Sequence, residues 1–323
     1  MRLAVLSRKE RLYSTSRLVE AARRRGHDVV VIDPIKCYVV VAQGSHRIYC
    51  QGDELAPVDA VIPRIGASVT DYGLAMLAHF SRAGIATANS ISAIASSRDK
   101  LRALQILSRS QIPIPRTALV REPGNVRHAV EALGGTPIVI KLLQGTQGVG
   151  VMIADSSQAL ESTLDTLWGL GQNLILQEFI AESAGRDVRA FVVGGKVVAA
   201  MQRTAKVGEF RANLHRGGEG RPFALDPEGE RTAVEAARVL GLDVAGVDLL
   251  ESSTGHKVIE INSSPGLRGI EQATGVDVAD AVCAHVEALV LRASRDGGRP
   301  FGGLLGDALE PGPVELSPAL STI

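Results

Sequence analysis

The sequence is short of cysteine, has no surplus of either charge and contains no long apolar run. Each shortage removes a class of function. Thirty-five basic residues balance thirty-five acidic ones, so no global field recruits nucleic acid or an anionic membrane surface. No stretch approaches the roughly eighteen apolar residues of a membrane span. The apolar start, residues 1–6, runs straight into Ser7-Arg8-Lys9-Glu10 and is too short for a signal peptide. Cys37, Cys50 and Cys283 are odd in number and widely spaced, fitting neither a zinc pattern nor a disulfide framework. They read as reduced thiols in a cytoplasmic protein. The histidines include no pair at metal-ligand spacing, and no Gly-x-Ser-x-Gly elbow occurs, so ordinary hydrolase chemistry has no support.

What is present is a run of strand and helix signals. A strand at 2–6, an amphipathic helix over 16–25 closed by Gly26, and a strand at 28–32 make a β-α-β opening with parallel strands. A further strand at 59–62 and a helix at 70–83 complete a doubly wound α/β unit over 1–92. The turn after its first strand lacks the glycines that bring backbone close to a pyrophosphate, so this unit does not hold a dinucleotide by that route. A helix over 98–109 leads into a second unit, 93–172. Its strands lie at 116–120, 137–142 and 150–154, its helices at 125–133 and 157–168. A third unit, 173–295, holds strands at 173–178, 187–193, 196–202, 244–250 and 256–262 with helices at 228–240 and 277–294. Gly194-Gly195 is spaced as a tight hairpin turn. Residues 296–323 lose apolar periodicity, are rich in Gly and Pro, and read as a disordered tail.

Chemistry concentrates in four places. The segments 244–250 and 256–262 read as an antiparallel pair. Centring the turn near Ser253-Thr254 sets Asp248 opposite Glu260, with Asn262 on the same face and Val247, Leu249, Ile259 and Ile261 on the other. Facing carboxylates repel unless a cation lies between them. An all-oxygen donor set suits magnesium or manganese, which bind few carboxylates together with substrate phosphates. A solvated hairpin face is the plain alternative. Second, Lys141 ends an apolar strand before Gln144-Gly145-Thr146-Gln147-Gly148-Val149-Gly150, a loop whose N–H groups could approach phosphate; no Gly-Lys-Ser/Thr follows, so it is not a P-loop. Third, the apolar strand 174–178 ends at Glu178-Phe179-Ile180, and Asp187 opens the next strand. Backbone groups at 178–180 could edge an adenine and an acidic side chain could meet a ribose. Fourth, 203–221 carries Arg203, Lys206, Arg211, His215, Arg216 and Arg221 against Glu209 and Glu219, positive charge suited to closure over an anionic substrate. Phe210 is its only aromatic, which argues against nucleic acid.

Jointly these segments resemble the ATP-grasp superfamily and, within it, the RimK-type glutamate ligases. The likeness spans 1–294. It includes residues 59–66, Arg98-Asp99-Lys100-Leu101-Arg102, Lys141 with Gly145-Thr146-Gln147-Gly148, and Gln177-Glu178. It continues through Phe210-Arg211-Ala212-Asn213, Ala245-Gly246-Val247-Asp248 and Glu260-Ile261-Asn262-Ser263-Ser264-Pro265-Gly266. The resemblance implies an ATP-grasp fold of mixed α/β and α+β content, with 1–92 preceding a central lid domain and a C-terminal domain that carries the metal site. It implies that Lys100, Lys141, Gly145 and Gly148 hold nucleotide phosphate and that Glu178, Phe179, Ile180 and Asp187 hold adenosine. Arg211 and Asn213 then face phosphate and the reacting carboxylate. Asp248, Glu260 and Asn262 hold two Mg2+ or Mn2+ ions, with Glu260 bridging. It further implies a cytoplasmic homo-oligomer, dimer or tetramer, that spends ATP to add L-glutamate to the C-terminus of a small-subunit ribosomal protein through an acyl phosphate. A ligase for a small-molecule or carrier-protein acceptor, a non-catalytic ATP-binding regulatory module and a phosphotransferase are the alternatives. Two departures stand out: 296–323 has no match in the family pattern, and Thr204 follows Arg203 where a second basic residue is expected.

Overall fold

Strand β1 (Arg2–Leu6) buries Leu3, Ala4, Val5 and Leu6 completely, the signature of a parallel strand covered on both faces. It lies between β2 (Asp28–Ile32) and β6 (Ala60–Pro63) in a four-stranded parallel sheet completed by β7 (Ala86–Thr87). Helix α1 (Tyr13–Arg24) packs with Leu3 and Val5 on one face. Helix α2 (Thr70–Arg82) packs with Ala4 and Leu6 on the other, so the unit is doubly wound as expected. The computed structural model describes residues 1–43, 45–143, 150–206, 208–212 and 217–295. The 296–323 tail expected from sequence therefore lies outside the described residues.

Between β2 and β6 the chain makes a small antiparallel sheet, β3 (Cys37–Ala42), β4 (Ser45–Cys50) and β5 (Asp53–Glu54), which sequence reading missed. Its β3 residues Tyr38 to Val41 are exposed apolar residues, so no in-and-out alternation announces the strand. The register sets Cys37 directly across from Cys50, and the two are disulfide-bonded. This corrects the reading of three reduced thiols. A cross-strand partner brought close by a hairpin cannot be inferred from a spacing that looks arbitrary in the chain. Cys283 alone stays a free, buried thiol.

The helix expected over 98–109 is α4 (Lys100–Arg109), and a second helix that sequence reading missed, α3 (Ile91–Arg98), runs into it. Asp99 breaks the run: its backbone is extended and its carboxylate accepts a hydrogen bond from Arg102 N at 3.0 Å, capping α4. The second unit consists of β8 (Thr117–Leu119), α5 (Val126–Leu133), β9 (Ile138–Leu142), β10 (Val151–Ala154), α6 (Ser157–Gly169) and β11 (Leu174–Glu178). Its sheet order is β10-β9-β11-β8, all antiparallel. Period-two alternation sends Ile138, Ile140, Leu174 and Leu176 into a core with the α6 residues Leu160 and Leu164. Val139, Lys141, Ile175 and Gln177 are left on the opposite face.

The third unit is built from β12 (Arg186–Val193), β13 (Lys196–Thr204), β14 (Glu219–Pro222), α7 (Pro227–Val239), β15 (Val244–Ser252), β16 (Gly255–Asn262), α8 (Leu267–Thr274) and α9 (Val278–Arg295). The strands form one antiparallel sheet, β14-β13-β12-β15-β16. Gly194 and Gly195 turn β12 into β13 with φ of +56° and +77°, the left-handed pair a two-residue hairpin requires. Val188, Ala190, Val192, Ala245 and Val247 face the alanines of α7. Phe191, Val193 and Val244 face the opposite way, joining α8, α9 and the first sheet in a shared core. Part of the expected 203–221 loop is strand, since β13 runs to Thr204 and β14 pairs with it. Residue 207 and residues 213–216 lie outside the described residues. No described helix is long and apolar enough to cross a membrane.

Asn89 ties the first sheet to the third. It is 1% exposed; its Nδ2 donates to Val244 O and Ser263 O, each at 2.9 Å, and its Oδ1 accepts from Val244 N at 3.0 Å. Asn89→Ala should leave these buried backbone groups unpaired and destabilise the protein by roughly 2–4 kcal/mol, read as the shift of a urea unfolding midpoint. A loss below about 0.5 kcal/mol would mean that water replaces the bridge.

Candidate active site

Alternation aims the polar residues of both antiparallel sheets at the same space. The helix-free face of β9 and β11 and the end of the β12-β13-β15-β16 face enclose a cleft of about 1050 Å³, open to solvent. Lys100, at the start of α4, reaches one side of it. The segment 178–187 and the residues Phe210 to Ala212 close the other. Of the residues singled out from sequence, Lys100, Lys141, Glu178, Phe179, Ile180, Asp187, Arg211, Asp248 and Glu260 all line this cleft. Asn262 is two residues past Glu260 on β16 and does not line it. Gly145, Gly148 and Asn213 lie outside the described residues.

The centre of the site is a closed set of ion pairs. Arg189 donates from Nε and Nη2 to the two oxygens of Asp248, both at 2.6 Å. Arg203 donates to both oxygens of Asp187 at 2.6 and 2.7 Å, and its Nη2 also reaches Asp248 Oδ2 at 2.9 Å. Burial pushes the Asp248 carboxyl up, but Arg189 and Arg203 together outweigh it and hold the group below the usual carboxylate range. Asp187 is pushed up, by burial first, against the pull of Arg203 and with Asp248 adding to the rise. Arg189 had drawn no role from sequence. The signal was there: two residues past Asp187 on one strand, it had to share that face.

Asp248 pairs with Glu260 across β15 and β16, as the turn-centring argument requires. The next pair is Leu249 with Val258, so a bulge leaves Ile259 without a partner. This corrects one expectation. Ile259 does not join Ile261 on the apolar face; Val258 takes that place and Ile259 lines the cleft. A strictly alternating reading cannot foresee an inserted residue.

The two lysines are placed beside Glu260. Burial lowers the Lys141 ammonium to about 8, with Glu260 opposing the shift. Burial also lowers Lys100, again with Glu260 opposing. Lys100 Nζ donates to Leu142 O at 3.0 Å, at the threshold of the glycine-rich segment. Glu178 turns its side chain away from a ligand role: Arg116 and Lys257 hold its carboxylate at 2.6 and 2.8 Å, and its N–H donates to Arg116 O. The following residues 179–180 line the cleft, with Ile180 O accepting from Ser183 N at 3.3 Å. Arg211 is clamped by Glu209 at 2.6–2.8 Å and reaches Val151 O at 3.2 Å, bridging its loop to β10. Arg211 in turn holds the Glu209 carboxyl down at about 2.

The donor set fits a hard divalent cation of the magnesium type. A carboxylate offers about four acceptor positions. At Asp248 Arg189 takes two and Arg203 a third, which leaves one for a metal. Glu260 has no ion pair within hydrogen-bonding reach among the described residues, and Asn262 adds an oxygen on the same strand face. Among the described residues no three His, Cys, Asp or Glu side chains cluster closely enough to cage a metal alone. That is the pattern for magnesium, which relies on few carboxylates and completes its shell with water and phosphate.

The chain is similar to known proteins. A family model described as the RimK PreATP-grasp domain matches residues 1–94, and one described as the RimK-like ATP-grasp domain matches residues 97–286. A protein of Thioalkalivibrio sulfidiphilus (strain HL-EbGR7) named "Probable alpha-L-glutamate ligase" is 52% identical over 287 residues, 89% of this chain and 95% of its own length. One of the same name from Aliivibrio fischeri (strain MJ11) matches to the same extent. Among solved structures, the ATP-grasp ligase PsnB complexed with minimal precursor, Mg and ADP superposes with a TM-score of 0.71 at 22% identity, over 90% of this chain and 98% of that one. D-alanine–D-alanine ligase from Bacillus anthracis complexed with ATP gives 0.66 at 17% identity, over 92% and 100%. At those identities the likeness is one of fold.

The lowered Lys141 sets a pH dependence. The free protein loses this charge above about pH 8, whereas a bound phosphate favours the charged form, so binding takes up a proton there. ATP affinity should therefore fall as pH rises past 8, by at most about tenfold per unit. Lys141→Met should bind more weakly at pH 7 and show a flattened profile, by titration calorimetry at several pH values. A wild-type profile level from pH 7 to 9.5 would contradict the assignment.

Proposed function

The chain belongs to the RimK-like ATP-grasp family, and from that premise we propose that this ATP-dependent ligase adds L-glutamate to the C-terminal carboxylate of a protein. The proposed acceptor is a small-subunit ribosomal protein, as the family resemblance suggests, in the cytoplasm, which supplies both ATP and ribosomes. The glutamate assignment is supported by relatives about half identical along nearly their whole length and named for that activity. The observation that carries the reading is the cross-strand pair Asp248 and Glu260, set in one cleft with Lys100 and Lys141.

In this reading Lys100 and Lys141 hold the nucleotide phosphates, and the backbone at 179–180 holds adenine. Asp187 is fixed by Arg203 with both oxygens engaged, and it meets the ribose side by accepting at their remaining positions. Glu260, Asn262 and the one open position of Asp248 would hold magnesium or manganese, one ion or two, whose charge offsets that of the β- and γ-phosphates. Arg189 and Arg203 fix Asp248 in place before any ligand arrives, so no reorganisation is needed at that carboxylate. The acceptor carboxylate attacks the γ-phosphorus, giving an acyl phosphate and ADP. The glutamate amine then attacks the activated carbonyl, expels inorganic phosphate and gives up a proton as the amide forms. Arg211 and Asn213 are proposed to stabilise the charge on the transferring group. The cleft walls limit water, which would hydrolyse the acyl phosphate unproductively.

Hydroxylamine supplied in place of glutamate should be trapped as a hydroxamate, in a reaction requiring ATP, magnesium and acceptor together. With L-glutamate, acceptor mass should rise in steps of one glutamate residue. A stable phosphorylated acceptor would point to a kinase instead, and preference for another amino acid or a small-molecule acceptor would keep the ligase and overturn the glutamate assignment. Glu260→Ala should cut turnover by more than about a hundredfold, the upper range for losing a mere supporter of a metal ligand. A folded variant within about threefold of wild type would remove Glu260 from the metal site.

A further inference from the structure

Arg203 and Arg211, which line the cleft, are matched by carboxylates, but Arg64 and Arg98 outside it are not. Arg64 follows β6 and Arg98 ends α3; neither has a carboxylate within 4.0 Å among the described residues. Arg98 donates to Ile65 O and, at 3.4 Å, to Thr70 Oγ1. Arg64 has its backbone N–H fixed on Leu6 O at 2.9 Å, while its guanidinium makes no hydrogen bond to a described residue. Burial first and like-charge repulsion from Arg98 second together lower Arg64 to about 10. Arg203, which has two carboxylates, is shifted the other way.

A third polar group nearby is also unsatisfied. Ser263 is 3% exposed and its Oγ is buried without a partner. Ser263 and Arg64 line the same small cavity, with Asn89 and Leu267. In the chain Ser263 stands three residues past the cleft residue Glu260, and Arg98, which does not line this cavity, stands two residues before the cleft residue Lys100. Ser264 Oγ donates to Pro63 O at 3.5 Å. Segments distant in sequence thus bring Arg64 and the unused Ser263 hydroxyl to one cavity, with Arg98 close enough to Arg64 to act on it as a like charge.

A buried charge left without a counter-ion is costly to a fold, and such a group is a candidate for meeting its counter-ion in a ligand. The guanidinium fork matches a carboxylate through two parallel hydrogen bonds, and a serine hydroxyl can add one more. The triphosphate already has Lys100 and Lys141 on the cleft floor. We propose that Arg64, with Arg98 and the Ser263 hydroxyl, forms a recognition site for a substrate carboxylate, making Arg64 a specificity residue of this ligase. The identification of the ligand as a substrate rests on the glutamate-ligase reading. Both substrates in that reading carry carboxylates: those of incoming glutamate, and any borne by the acceptor's last residues.

The test uses Arg64→Met and Arg64→Lys in the full chain, with glutarate as a binding probe. Glutarate should raise the melting temperature of the wild type and not that of Arg64→Met, and the Met variant should melt no lower than wild type, because an uncompensated charge has been removed. In turnover assays the KM for one carboxylate substrate should rise by about tenfold or more while the KM for ATP stays within about twofold, with Arg64→Lys between the two. A rise for glutamate assigns the site to the amine substrate, and a rise for the acceptor assigns it to the acceptor; either supports the proposal. An unchanged glutarate shift in Arg64→Met, a lower melting temperature, or a rise confined to ATP overturns it. If the chain adds no glutamate at all, the glutarate arm still decides whether a carboxylate binds here, so the two failures are separable.

Discussion

Asp248 is a carboxylate in the interior of a sheet, and everything around it follows from that. An ionised group there is tolerable only when its desolvation is offset by short hydrogen bonds to opposite charge. Arg189 supplies them from the neighbouring strand β12 and Arg203 from β13, one strand further, and Asp187 satisfies what remains of Arg203. The four residues carry no net charge as a group. Their mutual hydrogen bonds fix the register of β13, β12 and β15 as firmly as the backbone ladder does. Removing one partner would strand the others, whereas the whole set is balanced before any substrate enters.

The arrangement depends on a single alternation carried across two sheets. In the third sheet odd residues of β12 meet even residues of β15 on one face. Toward one end that face is apolar, with Phe191, Val193 and Val244 sealed under α8 and α9; toward the other it is ionic. The strand therefore changes partner along its length while keeping its period. In the second sheet the same rule puts Ile138 and Ile140 into a core and lifts Lys141 out of it by one residue. The lysine is buried because the opposing sheet covers it, which is why its ammonium is weakened rather than freely solvated.

How much of this was legible in the chain follows from which interactions are local. Nearly every long strand and helix was readable, because apolar period and terminal Gly or Pro are properties of a short window. The pairing of Asp248 with Glu260 was readable because a tight turn fixes register. The start of α4 was placed two residues early although its signal is local, an Asp99 standing three residues before Arg102 as an N-cap. The disulfide, the bulge at Ile259 and the hairpin at 37–50 were not legible. A disulfide needs a spatial pairing, a bulge adds a residue that no periodicity marks, and an exposed apolar strand has no buried face to alternate with. Arg116 and Lys257 meet at Glu178 from 62 and 79 residues away, and only the fold unites them.

The same distinction separates the nucleotide chemistry from substrate choice. The balanced network and Glu260 belong wholly to the third sheet, and Lys141 lies one strand from its own glycine-rich segment, so these parts travel as compact motifs. Arg64, Arg98 and Ser263 come from three segments that meet only where the first sheet docks on the third, at the junction Asn89 holds. Among the described residues no side-chain hydrogen bond links Arg64, Arg98 or Ser263 to the Asp248 set. A fold that gathers Lys100, Lys141, Asp248 and Glu260 in one cleft, with Arg64 and Ser263 in a separate cavity, leaves the second set free to vary without altering the first.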